Sequence, residues 1–113
     1  MVKKLIEMGA DVNILDAYGC TLLAYASLYR HIEIAELLLD NGIDVNAQDY
    51  YGDTALIEAC YQGHVETAEL LLKYGANVNI RNGKGETALI KAMYGGHTKI
   101  IELLKNYTNK ESE

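Results

Sequence analysis

The chain repeats itself every 33 residues, and no other feature restricts so tightly what it can fold into. Written in register as 10–42, 43–75 and 76–108, it aligns to itself without insertion or deletion. Ten columns are identical in all three copies: Val12/Val45/Val78, Asn13/Asn46/Asn79, Gly19/Gly52/Gly85, Thr21/Thr54/Thr87, Leu23/Leu56/Leu89, Ala26/Ala59/Ala92, His31/His64/His97, Glu36/Glu69/Glu102, Leu37/Leu70/Leu103 and Leu38/Leu71/Leu104. Val2 to Asn13 matches the end of a preceding unit, so residues 1–9 read as a half repeat. Val2, Leu5 and Ile6 of that half lack a partner helix, an edge open to a neighbour or to a longer chain. Residues 109–113 read as a polar, frayed tail.

The middle copy shows the logic of one unit. Thr54 is placed to cap a short helix over Ala55 to Tyr61, its hydroxyl accepting a backbone N–H that lacks an intrahelical partner. Gly63 ends that helix, and a second runs from about His64 to Tyr74, with Val65, Ala68, Leu71 and Leu72 on one face. Gly75 closes it in the left-handed conformation, and the Asn, Asp and Gly positions that follow turn the chain toward the next pair. Helices this short are marginal alone, so their stability must come from stacking on copies of themselves. The alanine column Ala26/Ala59/Ala92 allows close approach, and the leucine columns fill the space between units.

The pattern Asp49-x-x-Gly52-x-Thr54-x-Leu56-x-x-Ala59, Gly63-His64-x-x-x-Ala68-x-Leu70-Leu71-Leu72, Gly75-Ala76-x-Val78-Asn79 resembles the ankyrin repeat. The resemblance implies an all-α solenoid of antiparallel helix pairs with projecting hairpins and a concave surface used for protein recognition. It also implies that each histidine of the His31/His64/His97 column hydrogen-bonds loop backbone between units. The chain departs from the family's usual Thr-Pro-Leu-His: it has Thr54-Ala55-Leu56-Ile57 and Thr87-Ala88-Leu89-Ile90, and no proline anywhere. Apolar contacts by Ile57 and Ile90 are expected to stand in. Arg30 occupies the place of Gly63 and Gly96, a left-handed position, so the first unit is expected to carry about 1 kcal/mol of strain. In the last unit Thr98, Lys105 and Thr108 replace Val65, Leu72 and Gly75, the polarity expected of a terminal cap.

Composition closes off other classes. A net charge of −6, with ten unclustered Lys and Arg, argues against nucleic acid. No apolar run approaches the roughly 20 residues of a membrane-spanning helix. Cys20 and Cys60 fall in different columns, so no disulfide framework is indicated and a reducing, cytoplasmic setting is expected. The histidines should lie one repeat apart instead of converging on an ion, and Gly83-x-Gly85 is too short for a phosphate loop. No metal, cofactor or catalytic group is therefore assigned. Glu69 and Lys73 are spaced for a weak ion pair.

The functional signal is tyrosine. All nine aromatic residues are Tyr, and they occupy mainly variable columns of the hairpins and first helices: Tyr18, Tyr50 and Tyr51 before the helix, and Tyr25, Tyr29, Tyr61 and Tyr94 within or just after it. The partner-binding surface is assigned to Tyr18, Tyr29, Tyr50, Tyr51, Tyr61 and Tyr94, with Asp53, Gln62, Lys84 and Glu86 as its polar surround. Tyr25, Tyr29 and Tyr94 are equally readable as packing between units. The function expected is binding of a partner protein without catalysis, the alternatives being a self-associating spacer that uses the N-terminal edge or a regulatory appendage of a larger enzyme.

Overall fold

The computed structural model describes residues 15–112, with side chains as far as Tyr107. The half repeat assigned to 1–9, with its open edge at Val2, Leu5 and Ile6, lies outside the described residues. Six helices follow in order: α1 Leu22–Leu28, α2 Ile32–Asp40, α3 Ala55–Gln62, α4 Val65–Lys73, α5 Ala88–Gly95 and α6 Thr98–Ser112. First helices pack on first helices (α1, α3, α5) and second on second (α2, α4, α6), giving a body of 40 × 25 × 24 Å. That elongation is what stacking along one direction produces.

Each first helix starts where the threonine column places it. The hydroxyls of Thr21, Thr54 and Thr87 accept from the N–H groups of Ala24, Ile57 and Ile90 at 3.1, 3.2 and 3.3 Å. Gly63 ends α3 at φ 80° and Gly96 ends α5 at φ 69°, and Arg30 takes the same left-handed turn at φ 60°. A side chain with a Cβ is strained there, so Arg30→Gly is expected to stabilise the domain by about 1 kcal/mol. A lower melting temperature for that variant would remove the assignment.

The core follows the repeated columns. Leu38, Leu71 and Leu104 are sealed, as are Ala26, Ala59 and Ala92. Ile57 is buried, but Ile90 is only half-buried, since α5 is the last first helix among the described residues. Two expectations need correction. Among the described residues the ion pair is Lys91–Glu86 at 3.4 Å, and Glu69 does not reach Lys73. The boundary at 108 is not a helix end either, since the backbone of α6 runs on to Ser112 through the residues read as a frayed tail. Thr108 stands where Gly42 and Gly75 follow the other second helices, and a threonine supplies no cheap left-handed stop. Thr98 and Lys105 are exposed, so the outer face of α6 is polar at those positions, while Ile101, Leu103 and Tyr107 remain half-buried.

Candidate functional site

The site is built on three hairpins that share one internal design. Asp16, Asp49 and Asn82 each use Oδ1 to accept two backbone N–H groups, from residues two and four further on, all at 2.8–2.9 Å. Each loop then closes with a left-handed glycine, Gly19, Gly52 or Gly85. Neighbouring hairpins are joined by Tyr50 N–H donating to Tyr18 O at 2.9 Å and Gly83 N–H donating to Tyr51 O at 2.8 Å. Asn82 Nδ2 adds bonds to Asp53 and Glu86 at 2.9 and 3.0 Å. The tips are therefore held in register, and their side chains present a fixed surface.

On the first-helix side the histidine column does the same work. His64 Nε2 lies 3.0 Å from the Leu28 carbonyl, and His97 Nε2 lies 2.9 Å from the Tyr61 carbonyl. A carbonyl only accepts, so both rings carry the proton on Nε2. The His97 ring fills the space a Cβ would need at Gly63 and Gly95, at 2.6 and 2.4 Å. These two histidines bridge neighbouring units as the resemblance implies, though to carbonyls at the end of the preceding first helix instead of loop backbone.

The assigned binding residues fall mostly into one contiguous run. Tyr50, Tyr51, Asp53, Lys84 and Glu86 line a cleft of about 360 Å³ between the second and third hairpins. Asp53 and Lys91 carry this cleft into a neighbouring depression lined by Glu58, Tyr61 and Gln62. Tyr18 extends the run by stacking on Tyr51, with ring centroids 6.5 Å apart and planes 25° apart. Tyr94 extends it at the other end, its ring 5.8 Å from Lys91 Nζ. Tyr50, Tyr51, Tyr61 and Tyr94 are 74, 63, 46 and 67 % exposed, more apolar ring area than a folded chain leaves in water without cause. Tyr29 does not join them; its ring faces His31 and lines neither cleft. Tyr25 donates its hydroxyl to Asp16, which pushes the phenol up to about 12 and ties the ring to its own hairpin.

Lys91 and Glu58 were not read from the sequence. Lys91 sits at the centre, its ammonium 3.4 Å from Glu86 and 4.5 Å from the centre of the Tyr61 ring. Glu58 is half-buried with no side-chain hydrogen bond among the described residues, and its carboxylate comes within 4.8 Å of those of Asp49 and Asp53. Burial, and then repulsion from Asp53 and Asp49, push its carboxyl above the ordinary value of 4.5, against the pull of Lys91. Asp49 is committed to the hairpin and to the Cys20 thiol at 3.6 Å, and Asp53 to Asn82. The three carboxylates thus concentrate negative potential beside the cleft, with Asp53 lining it, Glu58 lining the depression next to it and Asp49 behind them.

That potential has a pH signature. A carboxyl with a raised pKa in the folded state binds more protons there than when unfolded, so stability falls as pH rises from about 4.5 through the raised value. Glu58→Gln is expected to raise the melting temperature at neutral pH, with the gain vanishing as the pH drops below that window. An equal gain at every pH would show that ionisation is not the cause.

The thiols offer no nucleophile. Burial, then Asp16 and Asp49, push Cys20 up to about 11, and burial alone pushes Cys60 up to about 12. Both are free and protonated at neutral pH. Among the described residues, no helix is long and apolar enough to cross a membrane.

Short helix pairs stacked in register, with threonine caps, bridging histidines and hairpins projecting from every unit, define a helical-repeat scaffold whose variable residues gather on one face. The family model for ankyrin repeats in three copies matches residues 1–82, and the chain belongs to the ankyrin-repeat family. The unit at 76–108 lies mostly beyond that match, yet α5 and α6 repeat the caps and bridging histidine of the units before it. No curated protein matches the chain. Ankyrin repeats are generally protein–protein interaction modules and typically have no enzymatic activity.

Proposed function

We propose that this domain is a non-enzymatic binding module that grips a partner protein with its hairpin and first-helix face. The observation that carries the reading is the exposure of Tyr18, Tyr50 and Tyr51 on hairpins locked to one another by backbone bonds, together with that of Tyr61 and Tyr94 on the adjoining first helices. Tyrosine offers a large contact area with few rotors to freeze and a hydroxyl for polar contacts, and here the backbone beneath it is already ordered. A reducing, cytoplasmic setting belongs to the same reading, since Cys20 and Cys60 fall in different repeat columns and form no disulfide framework.

Replacing Tyr51 and Tyr61 together by Ala is expected to weaken partner binding by about tenfold or more while leaving the urea midpoint almost unchanged, because both rings are exposed. Affinity capture from the native cell, with the double variant as control, identifies the partner and tests the face at once. Equal recovery by both chains rules this face out. Sedimentation velocity should show a monomer; a dimer would favour the spacer alternative.

A further inference from the structure

Around the cleft and the depression that continues it, Asp53, Glu58 and Glu86 outnumber Lys84 and Lys91, with Asp49 within 4.8 Å behind Asp53 and Glu58, on a chain that is itself acidic overall. The excess is concentrated between tyrosine rings. Such a setting favours a cation twice over, through the carboxylates and through the negative faces of the rings. The molecule supplies its own precedent: Lys91 rests over Tyr61 while touching Glu86, so an ammonium on an alkyl stem fits this chemistry. Lys91 does not exhaust it, because its ion pair goes to Glu86 and the Glu58 carboxylate has no hydrogen bond among the described residues. Tyr51 remains open on the hairpin side, stacked only on Tyr18.

Resting on the reading of this face as the binding surface, we propose that the cleft between the second and third hairpins takes an arginine or lysine from an extended segment of the partner protein. The side chain lies along the Tyr51 and Tyr61 rings, and its charge faces Asp53 and Glu58. Arginine is the better fit, since a planar guanidinium stacks on a ring and bonds two carboxylates at once. An acidic segment meets the same carboxylates as repulsion, and so does a second copy of this chain at −6.

The test is selection of random displayed peptides on the full chain, followed by fluorescence anisotropy with the selected sequences synthesised. Selected peptides should be enriched in Arg or Lys, and their affinity should fall about tenfold with Glu58→Gln and again at high salt. Glu58→Gln should melt higher than the parent, so its weaker binding cannot be a folding defect. Peptides without a basic residue that still lose binding on Tyr51→Ala and Tyr61→Ala would overturn the cationic occupant and leave the face intact as a binding surface. Peptides indifferent to both the tyrosine and the Glu58 variants would overturn the face itself. An empty selection counts against the cationic subsite, because the cleft is already formed in the free protein.

Discussion

Leu71→Ala is expected to cost the domain about 2–5 kcal/mol and to lower its urea midpoint accordingly. Leu71 has no exposed surface, and it lies on the middle one of the three second helices, with α2 packed on one side and α6 on the other. Removing its branched end leaves a cavity shared by two interfaces, and neither neighbour can collapse into it without losing its own contacts. A domain of this size has roughly 5–15 kcal/mol in total, so the substitution removes a large share of it. The adjacent column offers a control: Leu70 is only half-buried, and Leu70→Ala should cost clearly less. A midpoint unmoved by Leu71→Ala would mean that the stability does not reside in the stack. In a repeat array the loss should also uncouple the units, seen as a broader transition in the variant than in the parent.

The fold was legible because every structural position is written three times. Thr21, Thr54 and Thr87 all became caps, Gly63 and Gly96 both became left-handed ends, and Arg30 took that same conformation against its own preference. The site was less legible, since it arises between columns instead of within them. Asp53, Lys84 and Glu86, read as a polar surround, line one cleft together, but the column Tyr25/Glu58/Lys91 holds a different chemistry in every copy and so gave no signal of its own. Its meaning appears only across copies: Lys91 stands one unit beyond Glu58, close enough to draw its carboxyl downward, and reaches back to Tyr61. Tyr74 is a similar case, its hydroxyl donating to Asp40 of the previous unit. Tyr29 lies outside both depressions. Its column continues as Gln62 and Gly95, and the copy that reaches the cleft is Gln62.

The second large effect is expected at Gly52, where the scaffold and the site meet. Gly52→Ala and Gly75→Ala both place a Cβ on left-handed backbone, at φ 84° and 91°, and share a strain cost of about 1–2 kcal/mol. They differ in surroundings. Nothing lies within 4 Å of a Cβ at Gly75, whereas at Gly52 it would meet Gly83 N at 2.7 Å and Asn82 Cα at 2.9 Å, both backbone. Backbone cannot swing aside as a side chain can, so Gly52→Ala should cost a further ~1–3 kcal/mol. The relief available is to part the two hairpins, which breaks the Gly83 N–H to Tyr51 carbonyl bond and moves Tyr51 away from Lys84 and Asn82 across the cleft. Gly52→Ala should therefore lower both the melting temperature and the partner affinity, while Gly75→Ala, behind a second helix, lowers the first alone. Equal melting temperatures for the two variants would mean that the hairpins are not in contact, and unchanged affinity for Gly52→Ala would mean that their register does not matter to binding. A small residue at 52 is thus required by the neighbouring unit as much as by the local turn.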